Sequence, residues 1–436
     1  MVSVTAPIIG DATPPIRKTA WRAVLMLSLV VMAAGVVRLA FSPLQEAAKA
    51  ELNLSDYQIS LIQGIAAALP MAVIAIPLGW LTDHSKRTRL MMFLGLMWTV
   101  GMIGTAFANN FETMFAARML AGLGAMSIVP VAISVLADLS LPESRGRAML
   151  FVGMGNTLGP ALAFVGGGAL VTAFAAGVDL PGLALTPWRE TALVIGLGSA
   201  VLLLPQMLVR EPARHEVENA SASLKAMFDA LWARRGFLLP LFVGQISVIM
   251  ADAAAGVWAV PVMQRDLGLS VGQASGMLGG LLLVAGVLGP VIGGFVADRG
   301  HKSSIRGGIL IGAVVASALG VPAALFPIIT GVPAFAVVLF LLLIAGAVTG
   351  LITATAIAVL VPNEERGVCL GAFMILGALI GLGLSPVLVS LGSQALGGET
   401  HLALALAVVG AATGLLSFVG FILAILNAPA RPAADA

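Results

Sequence analysis

Residues 79–89 read Gly79-Trp80-Leu81-Thr82-Asp83-His84-Ser85-Lys86-Arg87-Thr88-Arg89, and residues 294–302 answer with Gly294-Phe295-Val296-Ala297-Asp298-Arg299-Gly300-His301-Lys302. In both, an aspartate follows the glycine by four residues and a base follows the aspartate by four, at an offset of 215. Leu52-Asn53-Leu54-Ser55 returns at the same offset as Leu267-Gly268-Leu269-Ser270, and Pro142-Glu143-Ser144-Arg145-Gly146 is echoed by Pro362-Asn363-Glu364-Glu365-Arg366-Gly367. A constant offset across separate motifs marks a duplicated chain. Apolar runs of about twenty residues flank each copy, the length that crosses a bilayer.

Composition agrees. The chain has 436 residues, 59% hydrophobic and 10% charged, against roughly 25% charged in a soluble protein. That excludes a water-soluble globule and a disordered chain. A net charge of +2 leaves no basic field for nucleic acid. The single cysteine, Cys369, permits no internal disulfide and no cysteine-based metal cluster. Continuous runs exclude a β-barrel, which alternates over about ten residues. No Gly-Lys-Ser/Thr loop is present for ATP, no cofactor is expected, and the four histidines lack metal-ligand spacing.

Twelve runs are long enough to span: 22–45, 57–81, 89–108, 112–138, 147–174, 190–209, 237–262, 272–297, 306–326, 333–360, 367–392 and 402–427. The fold class expected is therefore all-α and membrane-integral, with twelve transmembrane helices in two pseudo-symmetric six-helix bundles. Glycine in 147–174 and 367–392 predicts kinks there. The organisation expected is an N-terminal tail 1–20, a bundle 21–209, a linker 210–236, a bundle 237–428 and a tail 429–436. In the linker, Leu224, Met227, Phe228, Leu231 and Trp232 recur at helical spacing, which predicts an amphipathic helix on the membrane surface. The first run is too long for a signal-peptide core, so the N-terminus is expected to be retained. Of 23 lysines and arginines, 18 fall in the tails and loops on the side of the termini and three (Lys49, Arg189, Arg265) on the other. The positive-inside rule then puts both termini in the cytoplasm.

Gly79-x-Leu81-x-Asp83-x-x-x-Arg87-x-Arg89 resembles the signature loop between helices 2 and 3 of the major facilitator superfamily, and Arg118-x-Leu120-x-Gly122-x-Gly124 resembles its helix-4 motif. The resemblance implies two bundles that rock about a mid-membrane site. It also implies a cytoplasmic latch for the outward-open state: Asp83 facing the N-terminal end of helix 11, with Arg145 as its basic partner. Asp138 is available to Arg87 or Arg89, and Asp298, Lys302 and Arg366 form the second copy. Gly155-x-x-x-Gly159-Pro160 resembles the helix-5 motif of superfamily antiporters.

More closely, the chain resembles the bacterial spinster-like branch, through Leu54-Ser55-Asp56-x-Gln58, Leu136-Ala137-Asp138, Pro142-x-x-Arg145-Gly146-Arg147-Ala148, Trp188-Arg189 and Arg210-Glu211-Pro212. It departs at Val37-Arg38, where that branch has Asp-Arg, and at Gly124-Ala125, where it has Gly-Glu. Both missing acids are the ones the resemblance would assign to protons.

Three ionisable residues lie deep in the runs: Arg38, Arg118 and Asp252. Their insertion is costly, so they are functional candidates. Asp252 is the repeat counterpart of Val37. Two readings stand: a structural Arg38–Asp252 ion pair, or an Asp252 that binds and releases a proton while Arg38 tunes it or holds an anion. Polar candidates for a substrate cavity are Ser42, Gln45, Gln63, Ser127, Asn156, Gln245, Ser247, Thr349 and Thr353. The expected activity is proton-coupled secondary transport, by efflux or antiport, of a small hydrophobic or amphipathic solute, with anions among the candidates. The protein is expected to work as a monomer in the inner-membrane lipid bilayer. The alternatives are a non-transporting sensor or scaffold, and a lipid-modifying enzyme, for which clustered catalytic groups are missing.

Overall fold

A computed structural model describes residues 18–429 apart from 179, 215–228, 230, 231 and 304. Among the described residues, twelve helices are long and apolar enough to span a membrane. The first half contains α1 (Trp21–Leu39), α2 (Asp56–Ser60, Leu61–Ile65 and Ala66–His84), α3 (Arg87–Phe107), α4 (Phe111–Leu139), α5 (Pro142–Ala175) and α6 (Pro187–Leu208). The second contains α7 (Arg235–Arg265), α8 (Val271–His301), α9 (Gly308–Ile328), α10 (Val332–Leu360), α11 (Glu365–Ala395) and α12 (Glu399–Leu426). Leu224, Met227, Phe228 and Leu231 of the expected amphipathic helix lie outside the described residues, and Trp232 is exposed.

The duplication reaches the backbone. Ser55 caps α2 and Ser270 caps α8, each in a capping box closed by a glutamine three residues on, Gln58 and Gln273. Each box satisfies amide groups that a helix start leaves open. Two residues before each cap the chain turns through left-handed backbone, at Asn53 (φ 52°) and Gly268 (φ 65°). Glycine and asparagine are the residue types that tolerate it.

The halves meet along two seams. In one, α5 packs on α8, with Gly272 against Thr172, Gly279 against Ala161 and Gly286 against Thr157. In the other, α2 packs on α11 where both helices loosen into π-helical turns, Leu61–Ile65 and Gly377–Leu384. There Gly64 lies so close to the Gly383 carbonyl that any side chain would overlap it. The kink expected in 367–392 is this π segment. Residues 147–174 lie within the single helix α5, which has Pro160 in its interior, and Gly155 and Gly159 seat it against the Ser28 and Met32 carbonyls of α1. Glycine there permits close approach of the two backbones.

Both seams run from the end opposite the termini, here the far end, toward mid-helix. Beyond them, a side chain added at Gly153 on α5 or at Gly367 and Gly371 on α11 would meet nothing within 4 Å. The halves therefore close at the far end and splay at the end bearing the termini.

Candidate transport site and far-end gate

The far end is closed by charge. Arg265, the last residue of α7, reaches across to Glu46 (2.7 Å) and to Asp56 (2.7 Å). Lys49 bonds Asp56 at 2.6 Å and also pairs with Glu399 from the second half. Glu399 in turn accepts the Asp56 backbone N–H at 2.7 Å. Asp56 is 2% exposed, so this clasp is shielded at its centre. Beneath it Ser60 and Ser390 share a hydrogen bond of 2.9 Å, and Gln45 Nε2 donates to the Val257 carbonyl at 2.7 Å. Gln63 donates to Ser42 and Gln45, completing a buried polar zipper. Gln45 thus ties the first half to the second, while Ser42 bonds Gln63 within the first half.

At the opposite end the charges work within each half. Arg87, 3% exposed, bonds Asp138 at 2.5 Å and Glu211 at 3.0 Å. Glu211 also accepts from the Thr88 amide and hydroxyl, both at 2.9 Å, and so caps α3. Burial raises the Glu211 carboxyl, but the bonds from Thr88 and Arg87 outweigh it and hold it below its ordinary pKa. A depressed carboxyl stabilises the fold at neutral pH and loses that contribution as pH falls below about 4. Arg87→Ala is expected to strand two carboxylates and lower stability by about 3 kcal/mol, read as a thermal midpoint in detergent at pH 7. The deficit should shrink on acidification, because the wild-type cluster weakens as its carboxylates protonate.

Asp83, Arg89, Asp298 and Lys302 are exposed, and the Asp83 carboxylate makes no ion pair among the described residues. Gly79 has open space around it. Arg145 donates to the Ala137 carbonyl and Arg366 to the Val361 carbonyl, each at 3.2 Å, so both tie the C-terminal end of a preceding helix.

Among the described residues, the three deep charges form no ion pair. Arg118, 2% exposed, gives its guanidinium only to the Met102 sulfur (3.4 Å) and the Arg38 carbonyl (3.3 Å), above the Phe41 ring at 5.5 Å. The Arg38 guanidinium has no hydrogen bond or ion pair among the described residues. Asp252 is not its partner, which corrects the structural-pair reading. Its carboxylate turns away into the α7–α10 seam against Gly346, with Oδ1 buried and unbonded. The repeat offset sets depth along a helix, but side-chain direction follows from where the partner helix leaves room. Among the other candidates, Ser127 bonds the Met71 sulfur, Gln245 accepts from Thr353, Thr349 bonds the Gly346 carbonyl, Ser247 is buried and Asn156 is exposed.

The sequence pattern of the Major Facilitator Superfamily matches residues 23–386. The chain belongs to that superfamily. This facilitator is 26% identical to Protein spinster homolog 1 of Xenopus laevis, over 61% of its own length and 52% of the relative's, so it spans about half of that protein. It is 28% identical to a gentisate transporter of Corynebacterium glutamicum, over 85% of its length and 80% of the relative's. The fold matches a bacterial homologue of the human lysosomal transporter spinster, in an inward-facing, unoccupied conformation, with a TM-score of 0.78 and 21% identity over 94% of this chain and 97% of that one. The resemblance to the spinster-like branch stops at Val37 and Ala125: the facilitator carries two deep cations, Arg38 and Arg118, in its first half and no acid at those two positions.

The clasp was not foreseen from sequence, although a signal was present. All three basic residues on the sparsely charged side are ion-paired: Lys49 and Arg265 in the clasp, and Arg189 to Glu51 at 2.7 Å.

Proposed function

We propose that this facilitator moves a small amphipathic organic anion across the inner membrane by alternating access, as a monomer coupled to protons through Asp252, in efflux or antiport. The observation that carries the reading is Arg118. A buried guanidinium without a counter-charge is costly, and an anionic substrate would supply that charge. Arg38 on the neighbouring helix adds a second cation. Gentisate, the solute in one relative's name, is an organic anion. With both termini in the cytoplasm, as the bias of basic residues favours, the conformation with the clasp shut is inward-open. Efflux or antiport is the direction that the helix-5 motif suggests.

A thermal-shift screen tests the anion. Gentisate and octanoate, with octanol as the uncharged control, are added at pH 6 and pH 8. The reading expects stabilisation by a carboxylate and none by the alcohol. Equal response to octanol, or none to any anion, would sink it. Orientation has its own check: a cysteine at Ala220 should resist impermeant labels in intact cells. The latch is tested by Asp83→Asn, expected to lower transport several-fold with normal folding. Wild-type flux in that variant would leave the latch without functional weight.

A further inference from the structure

The connection between α1 and α2 carries a short helix, Gln45–Leu52, that is held from both sides. At roughly 100° per residue, positions two apart on a helix lie about 200° apart around its axis, so Lys49 and Glu51 point in opposite directions. Gln45, Glu46 and Lys49 form the face toward the second half, where they meet the Val257 carbonyl, Arg265 and Glu399. Glu51 takes its carboxylate to the first half. One oxygen accepts from Arg189 Nε at 2.7 Å. The other accepts from the Trp188 indole N–H at 2.6 Å and from the Thr186 hydroxyl at 2.7 Å. Arg189 lies over the Trp188 ring, 4.5 Å from its centroid, and donates to the Ala106 carbonyl at 2.8 Å. Ala106 is in the last turn of α3, where open carbonyls favour a cation. One carboxylate thereby fastens the short helix to the start of α6 and, through Arg189, to the end of α3.

Alternating access requires one of the two attachments to part when the far end opens, and they differ in what parting leaves behind. Trp188 is 2% exposed and Arg189 is buried beside it. If Glu51 withdrew, a buried indole N–H and a buried guanidinium N–H would lose their acceptor away from water, which is costly. In the clasp, Arg265, Glu46 and Glu399 are all partly exposed and can exchange one another for water. Asp56, its buried member, keeps Lys49, which belongs to the same half and bonds it at 2.6 Å. The clasp is the attachment that parts more easily.

We propose that Glu51 is the positioning residue of the far-end gate: its bonds to Thr186, Trp188 and Arg189 carry the short helix with the first bundle, so that Glu46 and Lys49 stay in place while Arg265 and Glu399 withdraw with the second. This rests on alternating access about the clasp, and is independent of the solute and of proton coupling.

Paired spin labels show which half the helix follows. In a Cys369→Ala background, Ala47→Cys on the short helix is combined with Glu112→Cys at the start of α4, in the first half, or with Gln394→Cys near the end of α11, in the second. All three positions are exposed. Pulsed electron resonance measures each distance with Arg265 present and with Arg265→Ala, which loosens the clasp. The Ala47–Gln394 distance should lengthen by several ångströms while the Ala47–Glu112 distance stays the same. Adding Glu51→Ala to Arg265→Ala should broaden the Ala47–Glu112 distribution. A role in stability alone would lower the thermal midpoint and leave that distribution narrow, which would overturn the proposal. So would a helix that keeps its distance to Gln394 and departs from Glu112 in Arg265→Ala, with alternating access left intact. Two unchanged distances in Arg265→Ala would remove the clasp as the closure of the gate, and the proposal with it. If the double variant does not fold, the two distances in Arg265→Ala decide alone.

Discussion

Arg265→Ala is expected to open the far end. It removes four hydrogen bonds to Glu46 and Asp56 and leaves Asp56, at the shielded centre of the clasp, with Lys49 as its remaining cation. Breaking a fully buried pair costs about 3–5 kcal/mol. Arg265 is 23% exposed, so a discount to about 2 kcal/mol is appropriate. That is roughly a 30-fold shift away from the state closed at the far end. A cysteine at Ser390, in a background with Cys369→Ala, reports it, because Ser390 is buried beneath the clasp against Ser60. Labelling by an impermeant thiol reagent should speed up by more than tenfold in Arg265→Ala. An unchanged rate would mean that the polar zipper and the seams hold the gate without the clasp. Net transport should fall as well, since a carrier that cannot close one side cannot complete its cycle.

Arg118→Gln should separate stability from function. This guanidinium has a sulfur, a carbonyl and an aromatic face but no carboxylate partner among the described residues. Removing an uncompensated buried charge relieves a desolvation cost, so the variant's thermal midpoint should equal or exceed that of the wild type. Anion binding should weaken by more than tenfold, because a charge-assisted contact contributes about 1.5–3 kcal/mol. Lysine is not an adequate replacement: a compact ammonium cannot reproduce a planar fork packed over Phe41. A destabilised Arg118→Gln with normal anion response would make Arg118 a packing residue.

Which parts of this were legible in the sequence follows from the range of the interactions. Spans and repeat were readable because hydropathy and capping are local. Ser55 with Gln58, and Ser270 with Gln273, lie within one turn of each other. The clasp was not, because Glu46, Lys49, Asp56, Arg265 and Glu399 come from three separate stretches of chain and meet only when the halves close. Depth was legible for Asp252, direction was not: its berth is the absent side chain of Gly346 on another helix. Glycine content alone could not separate a π turn from close packing. The glycines of α11 loosen their helix, whereas Gly155 and Gly159 of α5 seat theirs against α1. Arg87 and Asp138 were expected to meet, and their 2.5 Å bond binds one half rather than joining two.

The central claim is that the two uncompensated cations carry an organic anion across the membrane. Its most direct test is counterflow of labelled gentisate and octanoate in proteoliposomes, with wild type and Arg118→Gln reconstituted side by side. The account predicts exchange by the wild type for at least one of these anions, dependent on external pH, and a loss of more than tenfold in the variant. Flux no greater than in empty liposomes for both anions, or equal flux by wild type and Arg118→Gln, would contradict it.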